Sequence, residues 1–180
     1  LNAAEIALKR YQDTAAAFIL EPVLFNSGAV LPEEGYLEGI RELTAKYDVL
    51  LIFDEVITGF RLAPGGAQEY YGVTPDLSTF AKAIANGYPL SAVVGRKDIM
   101  EVASPEGGRV LYPGSYNANH ISAVAGLATL KELVSGNVQF HLNKYIDELK
   151  DCFSLLAEKY GVAARLQGIG GKFQIYFTDR

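Results

Sequence analysis

A single cysteine, Cys152, stands among the 180 residues, so no internal disulfide can form and a reducing, cytoplasmic setting fits. Basic charge is also scarce. Sixteen Lys and Arg against 21 Asp and Glu leave a formal net charge of −5. Proteins that grip phosphate backbones carry a basic surplus, so nucleic acid is a poor partner. Long apolar runs are missing: Ala15–Leu20 and Val49–Phe53 are far shorter than the ~20 residues a membrane-spanning helix needs, so no membrane span is expected. No basic-then-apolar leader opens the sequence, and no secretion signal is expected. Repeats, low-complexity stretches and linkers are absent too. What is there is ordinary globular composition, 49% hydrophobic and 21% charged, with enough chain for the core of one domain.

The spacing of Leu1, Ala4, Leu8 and Tyr11 predicts a helix over Leu1–Tyr11. Ala15–Leu20 predicts a short buried strand, closed at Glu21-Pro22 because proline cannot extend a ladder. Glu33–Tyr47 predicts an amphipathic helix, with Pro32 at its start, acids in its first turn and an apolar stripe of Leu37, Ile40, Leu43 and Tyr47. Val49–Val56 is mostly apolar, which predicts a strand covered on both faces. Strand, helix and strand in this order form a βαβ unit with parallel strands. Leu77–Phe80 and Ser91–Gly95 read as further strands around the Ala85–Pro89 turn. Pro105–Gly108 and Tyr112–Asn119 read as loops, and His120–Val134 and Gln139–Tyr160 as helices, the second capped by Gly161. Val162–Arg165 and Phe173–Phe177 predict strands on either side of a Gly168–Gly171 turn. The fold class is α/β.

Two adjacent acids, Asp54 and Glu55, end the most apolar strand. In open α/β sheets ligands bind at the carboxyl ends of parallel strands. Side chains alternate along a strand, so Asp54 and Val56 share one face and Glu55 takes the other. Three readings follow. Both acids reach solvent at the strand end. Alternatively, they hold magnesium in a nucleotide hydrolase, as a Walker-B-like pair. That chemistry needs the loop G-x-x-x-x-G-K-[ST]. The only Gly-Lys pair is Gly171-Lys172, which is followed by Phe173 and lacks the first glycine. The third reading pairs Asp54 with Lys82, 28 positions on and flanked by Phe80, Ala81, Ala83 and Ile84. A lysine in an apolar setting has a lowered pKa, which suits an amine that forms an imine. A carboxylate opposite a pyridine nitrogen and a lysine imine are the protein groups that pyridoxal phosphate requires. No metal site is expected.

The ordered motif set is Glu21-Pro22-Val23 with Asn26 and Gly28, Gly35-Tyr36-Leu37, Leu51–Val56 with Thr58-Gly59-Phe60-Arg61, Gly72-Val73 with Pro75-Asp76-Leu77, and Thr79-Phe80 with Lys82. This set resembles the class III pyridoxal-phosphate aminotransferases. Gly65-Gly66-Ala67-Gln68 and Asp98-Ile99-Met100 are similar to the glutamate-1-semialdehyde aminomutase branch. The resemblance implies the large domain of fold type I, a mostly parallel sheet with helices on both faces. Residues 1–160 would belong to it, and residues 161–180 would open a C-terminal small domain. It implies a homodimer that moves an amino group on a small amine or amino-acid substrate. Lys82 resembles the Schiff-base lysine, Asp54 the acid facing the pyridine nitrogen, and Val56 the apolar residue on one ring face. Ser115 stands where a hydroxyl reaches the cofactor phosphate of the other subunit, and Glu21 and Asn26 stand near the substrate. Asn26 occupies the position of the glutamate that gates ω- and γ-amino acid enzymes, which argues against a GABA- or ornithine-type activity. The tract Ala83–Tyr88 departs from the aminomutase's glycine-rich one, so aminotransferase and aminomutase both stay open. His120, where the family has proline, reads as a helix-start residue. Family members are longer, so this chain is expected to be the catalytic middle of a larger enzyme. Without a cradle of backbone N–H groups for the phosphate it would bind the cofactor weakly by itself. A non-catalytic module dimerising through Tyr112–Asn119 is the remaining alternative.

Overall fold

The computed structural model describes residues 1–103, 108–111 and 114–178. The predicted loops Pro105–Gly108 and Tyr112–Asn119 fall partly outside the described residues. In chain order the elements are α1 (Asn2–Tyr11), β1 (Ala17–Leu20), α2 (Tyr36–Lys46), β2 (Leu50–Glu55), α3 (Ala67–Tyr71) and β3 (Leu77–Phe80). A 3₁₀ turn at Lys82–Ile84 leads to β4 (Ala92–Gly95), α4 (Lys97–Met100), α5 (His120–Leu133), α6 (Asn137–Lys159), β5 (Arg165–Ile169) and β6 (Lys172–Tyr176). The first four strands form one sheet in the order β1-β2-β3-β4. β1, β2 and β3 are parallel, as the βαβ pattern requires, and β4 returns antiparallel. β5 and β6 form a separate antiparallel hairpin. Among the described residues no helix is long and apolar enough to cross a membrane.

The core lies on one side of the sheet. Leu51 and Phe53 of β2 are fully buried against Leu37 and Ile40 of α2 and against Val73. A second cluster joins Val23, Phe25, Ala29, Ile57, Leu62 and Ala67, with Ile169 of β5 packed against it. The outward residues of β2, Leu50, Ile52 and Asp54, are half-buried, and Ile19, paired with Ile52, is 61% exposed. β2 is therefore not covered on both faces here. Leu50 and Ile52 are as apolar as Leu51 and Phe53, so the sequence reads as two-sided although α2 covers one side.

Other boundaries shift for local reasons. α2 starts at Tyr36 rather than Glu33, because Gly35 at φ 75° turns left-handed just before it and Glu33 is used in a turn, accepting from the Tyr36 N–H. β5 runs Arg165–Ile169 rather than Val162–Arg165. The turn narrows to Gly170-Gly171, both at positive φ, the backbone that suits a two-residue hairpin. Asp76 ties the elements together at the other end of the sheet. Its carboxylate accepts from the Leu51 N–H at 2.8 Å, from Arg41 of α2 at 2.8 Å and from Arg96 beyond β4 at 3.0 Å. Burial works against its charge, yet these donors hold its carboxyl below the usual carboxylate range.

Candidate functional site

Strand register decides what meets at the carboxyl edge. Leu20 of β1 pairs with Phe53, and Asp54 pairs with Thr79 of β3. Glu21, Asp54 and Thr79 thus end three neighbouring parallel strands in a row. Asp54 is half-buried, and its Oδ1 accepts from the Val56 N–H at 3.1 Å and from Thr79 Oγ1 at 3.3 Å. Val56 and Thr79, together with Phe80, Asn119 and Ser122, line a cavity of about 1110 Å³. Asn26 donates its Nδ2 hydrogen to Glu21 Oε1 at 3.0 Å. Glu21 Oε2 is buried and has no hydrogen-bond partner among the described residues.

Lys82 follows β3 on the same edge, at φ 49°. Its side chain is exposed and lines a second cavity of about 860 Å³ with Phe60, Arg61 and Tyr88. The apolar setting expected for its amine does not hold. The chain turns sharply at Lys82, which keeps Phe80 and Ile84 buried and leaves Lys82 outside. The structure brings Asp54, Val56 and Thr79 together, and Glu21 with Asn26. It sets Lys82 on the same edge but facing a neighbouring cavity. Ser115 is exposed in the turn before α5. Asn119 caps that helix by accepting from the Ser122 N–H at 3.1 Å, so His120 is its exposed first residue.

Glu55 is the residue whose role the sequence did not suggest. It is fully buried, so the reading in which both acids reach solvent fails for it. Its carboxylate accepts from Thr58 Oγ1 at 3.0 Å, the Ala67 N–H, the Gln68 N–H at 3.2 Å and Gln68 Nε2 at 3.1 Å. Gln68 Nε2 also reaches Ser78 Oγ at 3.2 Å. Burial pushes the Glu55 carboxyl up, against the pull of the Ala67, Gln68 and Thr58 donors. Sealed in the core by these donors, Glu55 is not available to act on a nucleotide beside Asp54, as the Walker-B-like reading requires. Among the described residues no group of three His, Cys, Asp or Glu could hold a metal. Thr79 was also missed as a partner of Asp54, since its strand was legible but its register was not.

These groups suit a flat ring with a basic nitrogen and an aldehyde. A carboxylate fixed through one oxygen can face the nitrogen, Val56 offers an apolar surface on the same face, and Lys82 supplies an accessible amine from the neighbouring cavity on the same edge. A family model described as aminotransferase class-III matches residues 1–180. The glutamate-1-semialdehyde 2,1-aminomutase of Methanocaldococcus jannaschii is 46% identical over 179 residues, covering 99% of this chain and 42% of that protein. An omega-transaminase from Sphaerobacter thermophilus superposes with a TM-score of 0.93 at 33% identity, covering 99% of this chain and 41% of that one. A transaminase with PLP bound superposes with a TM-score of 0.87 at 28% identity, covering 94% of this chain and 40% of that one. The mostly parallel α/β fold is the one these transaminases have over the matched residues. The chain spans 42% of the length of the curated relative from Methanocaldococcus jannaschii.

Proposed function

The chain belongs to the class III aminotransferase family, and from that premise we propose that it carries the lysine and the carboxylate of a pyridoxal-phosphate-dependent amino-transfer site. The observation that carries the proposal is Asp54, held at the carboxyl end of β2 by the Val56 N–H and Thr79. Pyridoxal phosphate, when bound, supplies an aldehyde to which amines condense and a ring that accepts electrons.

Asp54 would hold a proton on the ring nitrogen, and its two donors, the Val56 N–H and Thr79 Oγ1, stop the carboxylate from rotating away. Val56 would pack against one ring face. Lys82 would hold the cofactor through its amine, and the same amine, when free, would move protons as general acid and base. The exposed Ser115 hydroxyl would donate toward the phosphate held by the other subunit of a homodimer. Glu21 and Asn26, joined by the hydrogen bond from Asn26 Nδ2 to Glu21 Oε1, would stand beside a small amine or amino-acid substrate. The 46% identity to an aminomutase supports that branch for the substrate. Residues 1–160 form part of the cofactor-binding domain, and the β5–β6 hairpin opens a second one. A reducing, cytoplasmic setting keeps the exposed Cys152 a thiol.

The test is Lys82→Ala in the complete protein loaded with cofactor. The visible absorbance of covalently held cofactor disappears and amino transfer falls by at least about 100-fold. Covalent attachment that survives the substitution would overturn the assignment.

A further inference from the structure

The loop between β1 and α2 closes on itself. Leu24 and Val30 exchange backbone hydrogen bonds of 3.0 and 3.2 Å, and Asn26 sits near the tip. Inside the loop the backbone bonds are long, 3.3 Å from the Ser27 N–H and 3.4 Å from the Gly28 N–H. Phe25 and Ala29 anchor the loop in the core, and its Gly28 and Ala29 carbonyls are gripped by the distant β5–β6 hairpin. Tyr176 Oη donates to the Gly28 carbonyl at 2.6 Å, and Gln167 Nε2 donates to the Ala29 carbonyl at 2.9 Å and to that of Gly28 at 3.4 Å. The Lys172 ammonium lies 5.3 Å from the centre of the buried Phe25 ring. Gly28, at φ 105°, permits this close approach, because a Cβ there would sit 1.6 Å from Tyr176 Oη.

Asn26 itself is exposed and is tied by its side chain to Glu21. Its position therefore depends on where the backbone of the loop is held. We infer that Tyr176 and Gln167 are positioning residues for Asn26: the hairpin clamps the Gly28 and Ala29 carbonyls and so sets where Asn26 meets the amino substrate. This rests on the amino-transfer reading above. The hairpin makes substrate affinity depend on a segment nearly 150 residues away, Tyr176 being 148 positions beyond Gly28.

The test uses the complete protein loaded with pyridoxal phosphate. Tyr176→Phe keeps the ring and removes the hydroxyl, Gln167→Leu removes the second clamp, and both are also made with Asn26→Ala. Loss of one hydrogen bond predicts that KM for the amino donor rises about three- to tenfold in Tyr176→Phe, with kcat changed less. With Asn26 already replaced, Tyr176→Phe adds no further rise, because it acts through that side chain. Gln167→Leu behaves alike and covers the case in which Tyr176→Phe fails to fold. Equal KM effects with and without Asn26, or a lowered Tm with KM unmoved, would overturn the inference. Covalent cofactor that persists in Lys82→Ala would instead overturn the amino-transfer reading and this inference with it.

Discussion

Glu55 loses its water entirely when the chain folds, whereas Asp54, one position earlier, stays half-buried on the opposite face. Truncating Glu55→Ala leaves the Ala67 and Gln68 N–H groups without their acceptor. At about 1–3 kcal/mol for each stranded buried donor, the loss should be near 3 kcal/mol, read as a lower urea midpoint of the complete protein. The pH dependence has a definite sign. Burial raises the folded carboxyl above its unfolded value, so the folded state holds the proton more tightly. The stability from this group is present below the ordinary carboxylate value and is lost as pH rises through the raised one. Glu55→Gln should remove that part of the slope, and an unchanged slope would count against it. Alternation alone made Asp54 and Val56 legible as face-sharing neighbours. Nothing in the sequence showed that Glu55 would face the start of α3, because a helix of five residues has too little length to display a period.

Asp76 acts between elements, joining β2, α2 and the segment after β4 through one carboxylate. Its folded pKa is lowered, so its contribution is present above the ordinary carboxylate value and is lost as pH falls through the lowered one. Asp76→Asn should cost about 2 kcal/mol at neutral pH, allowing for the half-exposed Arg96, and the gap to the parent should close in acid. A gap of constant size across a urea titration series in pH would contradict this. At this scale the strands Leu77–Phe80 and Val49–Val56 and the long helix α6 were legible from apolar runs and periodicity. The start of α2 was not, because the acids and proline before Gly35 imitate a helical first turn. The register that brings Thr79 to Asp54 was not either, since pairing depends on which strand lies alongside.

For the whole molecule, α5 carries apolar residues nearly all round, the pattern of a helix buried on every side. Here Ile121, Val124 and Leu127 are 69%, 67% and 56% exposed. The 180-residue chain by itself should bind a hydrophobic dye and self-associate in light scattering. A dye-silent monomer would contradict that. Low basic charge and short apolar runs bounded the function classes, and the ordered motifs from Glu21 to Lys82 made the family legible. The grip of Tyr176 and Gln167 on the Gly28 loop was not legible, because it joins segments far apart in the chain. The central claim is that Lys82 holds the cofactor. Borohydride reduction of the complete, cofactor-loaded protein, followed by peptide mass mapping, tests it most directly. Reduction should leave one stable pyridoxyl adduct, on Lys82. An adduct on another lysine, or none, would contradict it.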